Sequence, residues 1–359
     1  MAFGLTPHHP SISNILTSMF AHAGILHLTW NMLFLWLFGP NVEDALGRLE
    51  YTIFYVGSGF AASLLHVVMV QSFTPAAGDI PIVGASGAIA GILGIFAVRF
   101  YRTRIKMWYM VFIFFIIRWG KFTIPAWIGL SIWFGQQLLG GIMGMIYPES
   151  GGVAYWSHIG GMVFGMILAY AMKMVKEGKK EYLMADAKDS LEKGTTWNAA
   201  EHLRLFLGHD PENAEVHGEL AKTYALQQDS VRAMDHYQRS IDLHLRKGER
   251  DKAVSRFAEL KHFYCDARLV LKSEYQLARY LLDGGFHAPA LQLLQDIANS
   301  YPGTPEAEVA LVKMGDLNLN ALRDPRAAIR CFEWFLSDYP NSEYRPMVEK
   351  SLTEAKERL

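Results

Sequence analysis

Ser86 and His158 are the residues of this sequence best suited to nucleophilic chemistry. Ser86 lies in the segment GASG at 84–87, and His158 begins the segment HIGG at 158–161. A serine hydroxyl becomes a strong nucleophile when a neighbouring base removes its proton, and histidine is the usual base. The pair predicts Ser86 as nucleophile and His158 as general base and then general acid. Either residue alone is more typical of a packing hydrogen bond, so the prediction depends on their lying together.

Two further polar residues are candidates for stabilising an oxyanion. His27 and Asn31 are four residues apart, so on a helix they share one face. Ser86 is placed at a helix start, where backbone N–H groups have no partner inside the helix. A tetrahedral intermediate needs donors around its oxygen. We therefore expect His27, Asn31 and the Ser86 N–H to form the oxyanion hole.

The elements that must position these residues are apolar runs of bilayer length. A membrane-spanning helix needs about 20 largely apolar residues. The runs are 25–39 (extendable toward residue 20), 51–72, 83–101, 124–147 and 155–174. The sequence therefore predicts about five spans. The apolar run Met107–Ile117 is shorter and is bounded by Lys106 and Arg118, so it predicts an interfacial or re-entrant segment, with a sixth short span as the alternative.

Basic residues fall in alternate connections between these runs. They are Arg48, then Arg99, Arg102, Arg104, Lys106, Arg118 and Lys121, then Lys173, Lys176, Lys179 and Lys180. Cytoplasmic loops carry the excess of Lys and Arg, so residue 1 is expected outside and the C-terminal half inside. The spans near 25, 83 and 155 then run inward from the outer face, and each begins with a candidate residue. Polar residues are costly in lipid, so their shared depth favours a functional site.

Small residues predict how the spans approach one another. Gly87, Gly91 and Gly94 give the third span a small face, and Gly161 and Gly165 form a GxxxG pattern on the fifth. Glycines at this spacing let membrane helices pack closely. Such packing would bring Ser86 within hydrogen-bond reach of His158, although the pattern alone is more typical of simple packing.

Charge divides the chain into two halves. The chain has 359 residues, 19% of them charged, and a formal net charge of -1. Residues 1–175 hold 8 Lys/Arg and 5 Asp/Glu, and residues 176–359 hold 26 and 30. These are about 7% and about 30% charged, against about 25% for a typical soluble domain. The split excludes a single soluble globule, and the absence of a strongly basic half excludes a nucleic-acid binder driven by net charge.

The charged half has few features of metal or redox chemistry. Its two cysteines, Cys265 and Cys331, fit a reducing compartment and are expected to be helix-core residues. No metal-ligand spacing is present, and seven scattered histidines are assigned no metal. They are His202, His209, His217, His236, His244, His262 and His287. We therefore expect neither a metal nor another cofactor.

Repeats are the main feature of residues 196–359. Asp210-Pro211, Tyr301-Pro302 and Tyr339-Pro340 follow helical segments at spacings in the thirties or their multiples. Helices are also expected near 272–283 and 305–321, whereas 246–270 fits the pattern poorly. Helix pairs at this period form an α-solenoid that resembles tetratricopeptide repeats. The expected role is binding a protein partner, with a stability or dimerisation module as the alternative.

The membrane half resembles rhomboid intramembrane serine proteases over about residues 3–174. The segment HAGILHLTWN at 22–31 is similar to their HxxxxHxxxN helix, GASG at 84–87 to their GxSG nucleophile motif, and HIGGMVFG at 158–165 to their last catalytic helix. The resemblance implies a six-span core, a Ser–His dyad without a third acid, and cleavage of membrane-embedded substrates near the extracytoplasmic face.

The resemblance assigns roles by position. Ser86 is the nucleophile, His158 the base, and His27 and Asn31 the oxyanion donors. The remaining motif residues are His22, Gly84 and Gly87.

Two departures from the family accompany the resemblance. A first span and its following loop normally precede a segment like FGLTP at 3–7, and they are expected to be missing from this sequence. Some members carry an aromatic residue four positions after the serine that stacks on the base. Ala90 stands there, so the imidazole must be held by other packing.

The expected architecture is all-α, a polytopic membrane helix bundle followed by a soluble solenoid. Its parts are a protease domain at 1–175, a juxtamembrane segment at 176–195 and the repeats at 196–359. The expected function is intramembrane serine proteolysis of transmembrane substrates in the lipid bilayer of a bacterial inner membrane, with cytoplasmic repeats. The alternative is a catalytically inactive scaffold or chaperone-like protein that uses its repeats to bind partners.

Overall fold

The computed structural model describes residues 3–113, 116–147 and 154–359, apart from the side chains of 107–118. The chain divides into two compact units, Met1–Tyr182 and Leu183–Leu359. The architecture is all-α apart from one hairpin among the described residues.

Helices occupy all five apolar runs of the first unit. In chain order they are α1 (Ile12–Ser18), α2 (Ile25–Leu46), α3 (Arg48–Phe73), α4 (Ser86–Arg99), α5 (Ala126–Ile146) and α6 (Tyr155–Ala171), and α7 (Met174–Glu192) follows. Gly47 separates α2 from α3 at φ +88°, a conformation that favours glycine because a Cβ is strained there.

Few of these helices meet a simple length-and-hydropathy test for crossing a membrane. Within the described residues α3 passes, and α6 and α7 pass together although the chain bends by 72° between them. The helix α4 is apolar but has only 14 residues. The helices α2 and α5 have 22 and 21 residues, which is long enough, but they are not among the helices that pass. The count of about five spans stays a prediction.

A β-hairpin lies between α4 and α5. Strand β1 (Arg104–Ile113) pairs antiparallel with β2 (Ile116–Pro125), with Arg104 opposite Pro125. The interfacial or re-entrant placement of the run Met107–Ile117 stays a prediction, but the alternative of a sixth short span is wrong as a helix, because the described part of that run is a strand. Its β-branched and aromatic residues are typical of strands, which explains why it pairs with the following segment instead of coiling.

The core of the first unit is built around α4. Nearly every residue of α4 is buried, and it packs against α3 and α6. A Cβ on Gly161 would overlap the carbonyl oxygen of Gly87, and a Cβ on Gly165 would overlap that of Gly91. The prediction that glycine faces allow close approach of these two helices is confirmed.

The second unit is a succession of antiparallel helices. They are α8 (Thr196–Leu207), α9 (Ala214–Leu226), α10 (Ser230–Arg246), α11 (Arg250–Phe263), α12 (Leu271–Asp283), α13 (His287–Ser300), α14 (Pro305–Asp316), α15 (Pro325–Asp338) and α16 (Arg345–Glu357). Each packs chiefly on its neighbours in the chain, as in a solenoid. Small alanines are fully buried where helices cross, among them Ala221, Ala233, Ala278, Ala290 and Ala328. The prediction of tetratricopeptide-like helix pairs is confirmed.

The segment 246–270, which fits the repeat poorly in sequence, is partly helical. It holds α11, and the chain from Tyr264 to Val270 then runs without a helix. Arg256 on α11 forms ion pairs with Glu215 and Glu219 of α9, both at 2.9 Å, and with Glu259 at 2.8 Å. Ion pairs therefore supplement the apolar packing between α9 and α11.

Candidate active site

The nucleophile candidate lies at the very start of a helix. Ser86 is the first residue of α4, and the first helical hydrogen bond runs from the Ile89 N–H to the Ala85 carbonyl. The backbone N–H groups of residues 86–88 therefore have no acceptor within the helix. The preceding Gly84 has φ +127°, and its N–H donates to the Ser18 carbonyl at 2.8 Å. This turn presents Ser86 at the end of a buried helix.

Glycine is required at 84 for a second reason. A Cβ there would lie 2.7 Å from Cε1 of His27 and 2.9 Å from its Nε2. Such distances are too short for a real contact, so a side chain would displace the imidazole. Gly84 thus lets α2 bring His27 against the turn that holds Ser86.

The base candidate is hydrogen bonded through both ring nitrogens. His158 Nε2 lies 2.8 Å from Ser86 Oγ, and Nδ1 lies 2.7 Å from Gln137 Oε1. An amide oxygen only accepts, so Nδ1 carries the proton and Nε2 keeps its lone pair. The Ser86 hydroxyl therefore donates to Nε2. This is the tautomer that a general base for Ser86 requires.

An aromatic ring on α5 also fixes the imidazole. Trp133 stacks on His158 with ring centroids 5.9 Å apart and planes inclined by 30°. Trp133 and Gln137 are four residues apart, so both lie on one face of α5. The expectation that other packing holds the imidazole in place of an aromatic at Ala90 is confirmed.

The oxyanion candidates lie on α2 in the same cavity. Asn31 is buried, and its Nδ2 donates to the His27 carbonyl at 3.0 Å, which leaves one amide hydrogen for another acceptor. His27 is half-buried. Both residues line a cavity of about 660 Å³ together with Ser86 and His158. That volume is within the range of small-molecule sites.

The remaining motif residues have packing positions. His22 is not among the residues that line the cavity, and its ring meets that of His27 edge-on at 5.4 Å. Gly87 faces α6 and α3, because a Cβ there would lie 2.5 Å from Ser157 Oγ and 2.7 Å from Ala62 Cβ. The structure thus gathers Ser86, His158 and the α2 pair and leaves His22 at the edge.

Three residues at the site escape the sequence reasoning: Trp133 and His66, which line the cavity, and Gln137, which is hydrogen bonded to His158. His66, on α3, is 8% exposed, lines the cavity, and has no partner for Nδ1 among the described residues. Gln137 and His66 are polar side chains inside apolar runs, which is itself a signal of function. Among the described residues, no group of three or more His, Cys, Asp or Glu is arranged to hold a metal.

Family models match both units. The model described as a rhomboid domain matches residues 9–174, and the chain carries a rhomboid domain there. A second model, described as outer membrane lipoprotein, matches residues 229–359 within the tetratricopeptide-like region. The rhomboid family is membrane-embedded.

Characterised relatives include proteins named as proteases and one named inactive. RHOMBOID-like protein 6, mitochondrial, of Arabidopsis thaliana is 25% identical over 54% of this chain and 54% of its own length. Rhomboid protease GluP of Bacillus subtilis is 39% identical over 22% of this chain and 14% of its own. Inactive rhomboid protein 1 of Drosophila melanogaster is 36% identical over 22% and 5%. The chain spans about half the length of the first curated relatives it matches.

A solved tetratricopeptide repeat protein from Parabacteroides merdae is 15% identical over 50% of this chain and 73% of its own. Its TM-score of 0.23 is too low to establish a common fold.

Proposed function

We propose that the chain is an intramembrane serine endopeptidase with Ser86 as nucleophile and His158 as general base. The observation that carries the proposal is the continuous hydrogen-bonded series from Ser86 Oγ through the imidazole to Gln137. It gives the histidine the required tautomer and a fixed orientation before any substrate arrives. Gln137 stands where many serine hydrolases have a carboxylate, but as a neutral amide it orients the ring without adding charge.

In the first half of the reaction an acyl-enzyme forms. Ser86 Oγ attacks the scissile carbonyl carbon while its proton passes to His158 Nε2, and the carbonyl oxygen becomes an oxyanion. The Ser86 N–H, the free amide hydrogen of Asn31 and the His27 ring are the donors that stabilise it. The imidazolium then gives its Nε2 proton to the leaving amine as the C–N bond breaks.

In the second half water releases the product. His158 Nε2 takes a proton from a water molecule, whose oxygen attacks the acyl carbon and forms a second oxyanion. Collapse of that intermediate returns the proton to Ser86 Oγ and frees a carboxylate. The cavity beside Ser86 is the route by which this water reaches a membrane-embedded site.

The proposed substrates are transmembrane proteins cleaved near the extracytoplasmic face. Large apolar side chains are exposed on α2 and α5 away from the cavity, among them Trp36, Trp127, Ile132 and Leu139. Such surfaces suit lipid or the apolar segment of a substrate. We propose residues 1–175 as the protease domain in a bacterial inner membrane and 196–359 as cytoplasmic repeats that bind a protein partner.

The test is cleavage of a model transmembrane substrate by the purified chain in liposomes. Ser86→Ala and His158→Ala are expected to abolish cleavage while circular dichroism stays unchanged. A fluorophosphonate probe should label the wild type and not Ser86→Ala. The control is Ser72→Ala at the exposed end of α3, which should retain both activities. Undiminished cleavage by Ser86→Ala would overturn the assignment.

An inactive scaffold is the second candidate, favoured by the likeness to the relative named inactive. It predicts a folded chain that the probe does not label and that cleaves nothing. In this chain both residues of the dyad are present, and His158 Nε2 lies 2.8 Å from Ser86 Oγ. The protease proposal therefore predicts that the probe labels the chain and that the chain cleaves the substrate.

A further inference from the structure

The second unit contains a cavity of about 630 Å³ where α8, α9 and α10 meet. Three arginines and one acidic residue line it: Arg204, Arg232, Arg239 and Asp235. Part of its wall is apolar, formed by Leu207 and Leu220. The cavity therefore combines an excess of positive charge with apolar surface.

The arginines differ in how far their charge is already neutralised. Arg232 pairs with Asp229 at 2.6 Å and lies 4.5 Å above the Tyr224 ring. Arg204 makes a long contact of 3.5 Å with Glu201. Arg239 is exposed and has no ion-pair or hydrogen-bond partner within the described part of the chain. Its guanidinium is the cation available to a ligand.

Two histidines form the inner end of the cavity with their protons fixed by geometry. His217 Nε2 lies 3.0 Å from the Pro211 carbonyl oxygen, which only accepts, so Nε2 carries the proton. His217 Nδ1 then accepts from His236 Nδ1, which lies 2.9 Å away. The neutral His236 ring is left with a lone pair on Nε2, for which the described residues provide no partner. Nε2 is not closed off from solvent.

We propose that this cavity binds a carboxylate group of an acidic peptide segment, held by Arg239, with the Nε2–H of His236 as a further donor once that ring is protonated. The inference is independent of the proposed protease activity. Arginine suits a carboxylate because its planar fork donates two parallel hydrogen bonds. The volume far exceeds one small anion, and the apolar part of the wall suits the neighbouring side chains of a peptide.

The charge of the surrounding chain argues against a polyanionic ligand. Residues 176–359 hold 26 Lys/Arg and 30 Asp/Glu, so they are net acidic. A nucleic acid or an anionic membrane would be repelled by the whole, whereas a short peptide meets only the local cationic cavity.

Protonation of His236 is expected to strengthen binding. Burial and the neighbouring His217 lower the pKa of His236 to about 4, so the ring is neutral at pH 7. The groups facing it are Arg232, Asp235 and Arg239 on α10, His217 and Tyr224 on α9, and Arg204 on α8. A bound carboxylate adds negative charge and raises this pKa. The added proton lies on Nε2, so it creates a donor and leaves the bond to His217 intact.

The test is fluorescence anisotropy with the full chain in detergent micelles. The probe is a dye-labelled pool of acetylated tetrapeptides with two apolar residues and two from Asp and Glu, and the matched pool has Asn and Gln instead. The acidic pool should bind, and severalfold tighter at pH 5.5 than at pH 7, because the bound carboxylate raises the pKa of His236. The neutral pool should not bind.

Variants separate the cavity from general charge. Arg239→Gln should weaken binding roughly tenfold or more, since a charged hydrogen bond is lost. Arg239→Lys, which keeps the charge, should weaken it less, and the exposed control Arg279→Gln on α12 should not change it. His236→Asn should retain binding at pH 7 but lose the pH dependence.

Several outcomes would overturn the proposal. They are equal binding of the two pools, equal effects of Arg239→Gln and Arg279→Gln, complete displacement of the peptides by millimolar phosphate, or preferential binding of phosphatidylglycerol vesicles. Ser86→Ala should leave peptide binding unchanged, so failure of this proposal and failure of the protease proposal are distinguishable.

Discussion

The chemistry proposed here depends at the residue scale on which nitrogen of one imidazole carries the proton. Ser86 can act as a nucleophile only if His158 Nε2 has a free lone pair to accept its proton. Gln137 favours that tautomer because its amide oxygen accepts a hydrogen bond from Nδ1–H. A neutral amide cannot compensate the imidazolium that forms during attack, so its contribution is orientation and one hydrogen bond.

Replacing Gln137 tests this positioning role. In Gln137→Leu the Nδ1 proton loses its acceptor, and both tautomers and ring flips become accessible. A hydrogen bond to a charged group contributes about 1.5–3 kcal/mol, so kcat should fall about 10- to 100-fold while KM for the transmembrane substrate stays near its original value.

The neighbouring Gln136 offers a matched control because it is exposed on α5, whereas Gln137 is buried. Gln136→Leu should retain kcat and thermal stability. If both variants lost activity equally, or if Gln137→Leu changed only KM, an orienting role for Gln137 would be excluded.

From the sequence, the neighbours of Ser86 can be predicted only when they belong to a motif or share a helix face with a motif residue. Ser86, His158, His27 and Asn31 can be placed at one depth from the charge pattern and the span order. Trp133 and Gln137 cannot, because the rotation of α5 about its axis depends on packing that an almost uniformly apolar helix does not record. His66 is hidden for the same reason on α3.

At the scale of elements, contact between α4 and α6 holds the two halves of the dyad together. Gly161 of α6 lies against the carbonyl oxygen of Gly87 on α4, and Gly165 lies against that of Gly91. Helix approach at this distance is possible only because no Cβ intervenes. The distance between Ser86 and His158 therefore depends on residues that have no chemistry of their own.

Gly161→Ala should separate these helices. The new methyl group would meet the Gly87 carbonyl oxygen, which is backbone and cannot rotate away. Overpacking of this kind costs about 1–3 kcal/mol, and we expect a lower thermal midpoint together with loss of fluorophosphonate labelling.

Gly135→Ala on α5 is the control, because a Cβ there has no neighbour within 4 Å. It should leave both the thermal midpoint and the labelling unchanged. Normal labelling of Gly161→Ala would show that the dyad does not require this helix contact.

The hairpin of β1 and β2 shows where element prediction from sequence fails. The run from Met107 is apolar, which is compatible with an interfacial helix, a short span or a strand. Pairing with residues 116–125 decides between them, and such pairing is a contact between segments rather than a local property. The repeats of the second unit are easier to predict because their period and helix-ending prolines recur.

At the scale of the whole molecule, the two units differ in composition. The first carries the rhomboid domain and its few charges, and the second carries most of the charge and its own apolar core. Among the described residues, ion pairs are concentrated in the second unit, and the hydrogen-bonded pair His217 and His236 also lies there, so pH acts on the folding of that unit.

The stability of the second unit should fall as the pH is lowered from 7 to 5. Burial lowers the pKa of His217, and burial with His217 lowers that of His236 to about 4, below the ordinary 6.5. Over this range the unfolded chain takes up protons that the folded chain does not, so acidification favours unfolding. Because His236 is partly exposed, we expect a loss of only about 1–2 kcal/mol in the free energy of unfolding.

Urea unfolding of the full chain in micelles, followed by far-ultraviolet circular dichroism at pH 7 and pH 5, measures this loss. His236→Asn removes one titrating ring and should reduce the difference between the two pH values, whereas His209→Asn at an exposed position should not. Stability that rises on acidification, or a pH difference unaffected by His236→Asn, would mean that the histidine pair is not held neutral. In that case the pKa of His236 would not be lowered in the folded chain, and a bound carboxylate would raise it by less, so acidification would strengthen peptide binding by less than expected.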